Sequence, residues 1–322
     1  MTRNHWMRGL GLAIVALATL LAASTAEAQS RSTEVRIGYQ KSSTLLTILK
    51  SRGTLEAGLK PLGLTVKWSE FTSGLPLLEA LNVGAIDISA DVADTVPVFA
   101  QAAGAKLTYF AQEAPSPSAE AILVSATSPI TKVSELKGKK IAVTKAAGVH
   151  YLLIVALERA GLSFKDIEPA YLTPGDARIA LESGSVAAWV TWDPFLSAAE
   201  RQAKARVLED GRGLVEYQRY YLAATPFAGT HPDVLRLIFD ELVKTGQWVK
   251  GNDSEAATIL APLWGLDTDT VRQANARRSY AVRAVVAGNL TEQQRIADVF
   301  FGAGLLPKAI NATDVAIWRP GS

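Results

Sequence analysis

The chain has 322 residues, with 33 Lys and Arg against 31 Asp and Glu, three histidines and no cysteine. A net charge this close to zero leaves no electrostatic footprint for nucleic acid, and the lack of cysteine rules out disulfide staples, thiolate catalysis and an acylated N-terminal anchor. Beyond the N-terminal segment only His150 and His231 remain, two distant residues without a paired carboxylate motif, so neither a metal nor a cofactor is expected.

Arg3 and Arg8 precede an apolar run, Leu10 to Leu21, followed by Ala26-Glu27-Ala28. A basic start, a short apolar stretch and a small-x-small site read as a secretory signal peptide over residues 1–28. A membrane span would need roughly 20 apolar residues. Cleavage after Ala28 leaves 294 residues with 31 basic and 30 acidic side chains, enough for two domains of ordinary size. The expected product is periplasmic, soluble and not lipid-anchored.

From Val35 the text alternates strand and helix. Val35–Gln40 reads as a strand, Thr44–Arg52 as a helix and Leu64–Phe71 as a second strand. Ser73-Gly74 opens a helix through Leu75, Leu77, Leu78 and Leu81, and Ile86–Ala90 reads as the third strand. Asp94-Thr95 caps a helix with Pro97 in its first turn, a tolerated position. Leu107–Gln112 and Ala121–Ser125 are further strands. Alternation of this kind predicts a largely parallel sheet.

The same grammar restarts near Ser134. Lys140–Thr144 is a strand, Val149–Ala160 an apolar helix stopped by Gly161, and Ala170–Leu172 another strand. Thr173-Pro174 supplies a cap with proline at the first helical position. Ala188–Trp192 is the strand before Asp193-Pro194, and Tyr220–Ala224 reads as a return strand. Beyond His231 the pattern is helical, with Val234, Leu237, Ile238 and Leu242 at helical spacing. Trp68, Trp248, Trp264 and Trp318 sit in apolar patterns and read as core. The expected organisation is two α/β lobes, the second inserted into the first: residues 29–124 and 225–322 form one lobe, and 125–224 the other.

Several of these strands run straight into a residue that opens a helix: Gln40 into Ser42 and Ser43, Ala90 into Asp94, Val143 into Gly148, Trp192 into Asp193. A helix N-terminus carries unpaired N–H groups and about half a positive charge. In an open α/β sheet such termini gather at the carboxyl ends of the strands. The pattern points to a small anionic ligand. Asp94, Thr95 and Asp193 are helix caps and also candidate contacts; His150, in the first turn of its helix, is either a donor to the anion or a helix-start residue met by solvent. Enzyme signatures are missing: no G-x-S-x-G, no phosphate loop, no H-E-x-x-H. The expectation is a binding protein and not an enzyme.

At Tyr39-Gln40-Lys41, Leu78-Glu79-Ala80-Leu81-Asn82-Val83-Gly84, Phe99-Ala100-Gln101-Ala102-Ala103-Gly104, Leu136-Lys137-Gly138 and Trp192-Asp193-Pro194 the chain resembles the aliphatic sulfonate-binding proteins of bacterial ABC importers, relatives of the taurine- and nitrate-binding proteins. The likeness runs from Val35 to Pro320. It implies a type II periplasmic binding protein, with two mostly parallel sheets flanked by helices, a two-strand hinge and a ligand clamped between the lobes. It also implies a permease with its ATPase as partner, a monomeric receptor and an organosulfonate as ligand, with taurine, nitrate, an aromatic sulfonate or sulfate ester, or a pyrimidine as alternatives. Enzymes on the same fold use cysteines that this chain lacks. Carried over residue by residue, the resemblance places Gln40, Ser73, Gly74, Trp192, Asp193 and Arg278 at the ligand. Two stretches depart from it: Asp91-Val92-Ala93-Asp94-Thr95 is one residue longer, and Ala146-Ala147-Gly148-Val149-His150 replaces a serine-rich helix start. Both remove hydroxyl donors and leave backbone N–H groups in their place.

Overall fold

A computed structural model describes residues 33–321. The signal-peptide reading, residues 1–28, lies outside that range. The first run is β1 (Glu34–Gln40), α1 (Thr44–Arg52), α2 (Thr54–Leu59), β2 (Thr65–Phe71), α3 (Gly74–Asn82), β3 (Ile88–Ala93), α4 (Thr95–Ala102) and β4 (Leu107–Glu113). The second is β5 (Glu120–Val124), β6 (Lys140–Val143), α5 (Gly148–Arg159), β7 (Glu168–Tyr171), α6 (Pro174–Glu182), β8 (Ala188–Trp192), α7 (Phe195–Gln202) and β9 (Arg206–Asp210). The chain then returns through β10 (Arg219–Ala224), α8 (Thr225–Thr230), α9 (Pro232–Gly251), α10 (Asp253–Trp264), α11 (Thr268–Arg277), β11 (Val282–Arg283), α12 (Thr291–Gly302) and β12 (Ala316–Ile317).

These strands build two sheets. The first has the order β11-β4-β10-β3-β1-β2 with β12 beside β4, and the second β7-β6-β8-β5-β9. Each is mixed, where sequence alternation predicted mostly parallel sheets. β1 and β3 run parallel, as do β6 with β7 and β8, but β10 lies antiparallel between β3 and β4. β5 likewise lies antiparallel between β8 and β9. Both inserted strands are short, apolar and buried on each face, and such a run carries no sign of its direction.

The same ambiguity displaced the expected lobe boundaries. Strand 120–124, read as the end of the first lobe, pairs in the second sheet; strand 219–224, read as the end of the second, pairs in the first. The two crossings are therefore residues 114–119 and 211–218. They bond to each other, Ser116 N–H to Glu216 O at 3.1 Å and Gly211 N–H to Pro117 O at 3.1 Å, which makes a two-segment hinge.

β3 also runs later than its sequence suggested, ending at Ala93 instead of Ala90. Asp91 sits inside this fully buried strand, a position a lone carboxylate cannot occupy without a partner. Its partners come from β10 and from the residue that follows α11, and they form the chemical centre of the cleft. Thr173 caps α6 as read, by accepting the Asp176 N–H, and Gly53, Gly63 and Gly265 close helices in the left-handed region, whereas Pro194 and not Asp193 is the cap of α7.

Candidate functional site

The carboxyl ends of β1, β3, β6 and β8 face one another across the seam between the two sheets, where ligands sit in open α/β folds. A small, partly enclosed cavity lies there, admitting the centre of a water molecule over about 10 Å³. The first half contributes Gln40 from the end of β1, Gly74 from the start of α3, Ala93 from β3 and Val96 from α4. The second contributes Ala147 and Gly148 from the start of α5 and Trp192 from the end of β8; Tyr217 and Arg219 come from the hinge and the strand after it.

Two of these positions require glycine for closeness, not for an unusual φ. A Cβ on Gly74 would stand 2.8 Å from a Val96 methyl, and one on Gly148 would stand 2.7 Å from the Tyr217 ring and 3.0 Å from Glu120 Oε2. The hinge aromatic is thus pressed against the first turn of α5. The preceding Ala146 carries φ 59°, a strained value for a residue with a Cβ. Its N–H donates to His150 Nδ1 at 3.3 Å, and its carbonyl accepts the Thr95 hydroxyl at 3.0 Å.

Charge at the site is paired before any ligand arrives. Arg219 Nε donates to Asp91 Oδ2 at 2.5 Å, Nη2 to the Asp91 carbonyl at 3.1 Å and Nη1 to Tyr217 Oη at 2.8 Å. Gln40 Nε2 donates to the same Asp91 carbonyl at 3.0 Å. Behind them Arg278 Nη2 bridges Asp91 Oδ2 at 3.2 Å and Glu113 Oε2 at 2.6 Å, while Tyr221 Oη donates to Glu113 Oε1 at 2.7 Å. Two guanidiniums meet two carboxylates, all of them buried. Glu120 sits beside Gly148 and Tyr217 with Oε2 unpartnered; burial, reinforced by the charge of Asp94, pushes its carboxyl well above the usual range and favours the neutral acid.

Against this geometry the sequence-predicted contacts divide. Gln40, Gly74, Gly148 and Trp192 line the cavity. Ser73 lies at a neighbouring mouth of the cleft with Lys145 and Tyr171. Thr95 crosses the seam to Ala146 instead of facing the cavity. Asp94 is structural: its carboxylate accepts the N–H groups of Thr95 at 3.0 Å and Gln218 at 2.9 Å, tying α4 to the hinge, and burial pushes its pKa up to about 7.

Asp193 accepts the Ser197 N–H and hydroxyl at 3.0 and 2.6 Å and faces Arg277 at 3.5 Å; burial raises its pKa to about 6 although the Arg277 charge opposes the rise. His150 does not line the cavity, and its buried Nε2 has no partner. Its ring is enclosed by Phe164, Tyr171 and Phe300, and burial, with the charge of Lys145 adding to it, lowers its pKa to about 3. A neutral ring whose Nδ1 accepts from Ala146 props up the α5 loop. Arg278, expected at the ligand, does not line the cavity: its Nη2 lies between Asp91 and Glu113 behind Arg219, and its buried Nε has no partner.

Sequence reasoning missed Tyr217 and Arg219. The available signal was a single charge opening an apolar strand, Arg219 before Tyr220-Tyr221-Leu222, matched by an acid, Asp91, beside another apolar run. Neither charge has a reason to sit there unless the two meet.

Two mixed sheets, a paired hinge and a cavity between strand ends define the fold of the type II periplasmic binding proteins. Residues 60–256 match the family described as NMT1/THI5 like. A protein of Escherichia coli (strain K12) named for aliphatic sulfonate binding is 40% identical over 309 residues, which cover 95% of this chain and 96% of that protein. A Bacillus subtilis (strain 168) protein of the same name is 33% identical, with 88% of this chain and 85% of that protein covered. The crystal structure of the alkanesulfonate-binding protein SsuA from Xanthomonas axonopodis pv. citri bound to MOPS is 36% identical and superposes with a TM-score of 0.85 over 90% of this chain and 100% of that one. The chain belongs to the NMT1/THI5-like family.

Proposed function

We propose that the chain is the extracytoplasmic substrate-binding protein of an ABC importer, which captures a small alkanesulfonate between its lobes and delivers it to a membrane permease with its ATPase. It works in the periplasm as a monomer and performs no catalysis. The observation that carries this reading is the cavity itself, a guanidinium and an amide facing a helix N-terminus across a seam, in a chain 40% identical to a protein named for sulfonate binding.

A sulfonate is a permanent monoanion with three acceptor oxygens and no proton to exchange near neutral pH. It needs converging donors and no general base. Arg219 offers charge-assisted bonds of about 1.5–3 kcal/mol each. Gln40 adds an amide, and the first turn of α5 adds N–H groups at the positive end of a 12-residue helix. Together these supply roughly the 8 kcal/mol of a micromolar complex, before the cost of ordering. Because Arg219 belongs to the first sheet and α5 to the second, the full set converges only when the halves are closed, so the ligand populates the closed state.

The closed state has contacts of its own. Trp192 Nε1 donates to Ser42 Oγ at 3.4 Å, Arg277 Nη2 to Glu200 Oε2 at 2.7 Å and Gln273 Nε2 to the same Glu200 oxygen at 2.8 Å. Calorimetric titration with ethanesulfonate, taurine, nitrate and sulfate tests the reading. The expected result is saturable binding of ethanesulfonate, tighter than that of nitrate or sulfate. Preference for either inorganic anion would refute it.

A further inference from the structure

A second hollow is lined by the first half of the molecule alone. Tyr39 comes from β1, Thr47 and Lys50 from α1, Glu70 from β2, and Leu263 and Trp264 from the end of α10. It admits the centre of a water molecule over about 220 Å³, against about 10 Å³ for the cavity at the seam. A single water needs only about 10–15 Å³ by that measure, so this hollow has room for a small organic molecule. Two of its lining side chains, Thr47 and Trp264, are each 6% exposed and carry a buried polar atom with no partner, Oγ1 and Nε1 respectively. Trp264 is core, as its sequence pattern indicated, yet its N–H donates to nothing. Buried polar groups are ordinarily hydrogen-bonded, and two exceptions at one hollow point to a molecule that pairs with both.

The charges around the hollow select the sign of that molecule. Lys50 Nζ donates to Tyr39 Oη at 2.6 Å, and Tyr39 Oη donates to Glu70 Oε2 at 3.0 Å. Lys41 lines the hollow as well. Two ammonium groups therefore stand against one carboxylate, and Tyr39 already holds that carboxylate. An excess of one positive charge suits a monoanion and gives less to a dianion. The Thr47 hydroxyl and the Trp264 N–H are both donors, one for each oxygen of a carboxylate, and hydrogen bonds to an ionised acceptor are the strong ones. Leu263 is 47% exposed, one of the few large apolar side chains left so among the described residues. It gives the hollow an apolar wall that gains by being covered.

We infer that this hollow is a second binding site, separate from the cavity at the seam, for a small carboxylate with an apolar body: the carboxylate meets Thr47, Trp264 and Lys50, and the body covers Leu263. The inference goes beyond the sulfonate reading and does not depend on it.

The test is calorimetric titration of the full-length exported protein with benzoate, acetate and inorganic phosphate, each with and without excess ethanesulfonate, at a pH where phosphate is mostly a dianion. The wild type should bind one benzoate per chain whether or not ethanesulfonate is present, about tenfold or more tighter than acetate or phosphate. Thr47→Val keeps the side-chain shape without the hydroxyl, Trp264→Phe keeps a ring without the N–H, and Lys50→Gln removes the charge. Each should weaken benzoate about tenfold while leaving ethanesulfonate affinity within about twofold of wild type. Several results overturn the inference: no benzoate binding, displacement of benzoate by ethanesulfonate, acetate or phosphate binding as tightly as benzoate, or benzoate affinity that survives all three substitutions. Failure of ethanesulfonate to bind counts against the sulfonate reading and leaves the benzoate comparison between wild type and variants intact. Far-UV circular dichroism reports whether each variant folds; if Trp264→Phe does not, Thr47→Val and Lys50→Gln decide.

Discussion

The two sides of the cavity are built on opposite principles. The first-sheet side puts Arg219 in the lining and backs it with a buried charged network in which Arg219 and Arg278 are interleaved with Asp91 and Glu113. The second-sheet wall has no charged side chain in the lining: it offers Ala147, Gly148 and the Trp192 ring. Buried charges tolerate burial only when paired, so the first wall is rigid and neutral as a unit. The second works through backbone N–H groups, which need no counter-charge and lie close because Gly148 has no side chain. In the proposed complex a guest anion is met by a guanidinium already fixed in place and by a helix end brought up to it. The neighbours Arg277 and Arg278 repeat the contrast. Arg278 is locked within the first wall, while Arg277 reaches across the seam to Glu200 and Asp193.

The largest expected effect comes from breaking the charged wall. Arg278→Ala strands Glu113 and leaves Asp91 to Arg219 alone, which should cost about 3–5 kcal/mol of stability in urea unfolding. A loss below about 1 kcal/mol, the value of an exposed ion pair, would show that the wall is not a closed network.

A smaller effect concerns Asp94, which ties the wall to the hinge. Its folded pKa of about 7 lies above its unfolded value of about 3.9. The folded state therefore holds a proton that the unfolded state has released, and stability falls as pH rises from about 4 to 7. Asp94→Asn lacks this term. The stability difference between wild type and variant should move in the variant's favour over that range. A difference that stays constant with pH would mean that Asp94 titrates as an ordinary carboxyl.

The smallest effect should come from Arg277→Ala. Its contacts are partly exposed and lie between the halves, so unfolding free energy should change by less than about 1 kcal/mol. Sulfonate affinity should fall by a few-fold as the closed state loses population. Equal losses of stability and affinity would place Arg277 in the fold and not in closure.

The sequence carried the positions where strands meet helices, because a polar cap after an apolar run is a local signal. Gln40, Gly74, Gly148 and Trp192 stand at such junctions and all reach the cavity. It did not carry strand direction, so β5 and β10 were assigned to the wrong halves. Nor did it carry pairing at a distance. Asp91 and Arg219 lie 128 residues apart, and Arg278 looked free because Glu113 and Asp91 are remote in the chain. His150 was ambiguous for the same reason: the rings of Phe164, Tyr171 and Phe300 that enclose it come from other elements. Local chemistry is legible in one dimension, whereas neutralisation is a property of the folded neighbourhood.

In the proposed complex Arg219, and not Arg278, holds the anion. Calorimetric titration of ethanesulfonate into Arg219→Ala tests it directly, since Arg278 remains to face Asp91 in that variant. The expected loss of affinity is between about tenfold and a hundredfold. Wild-type affinity in Arg219→Ala would contradict it.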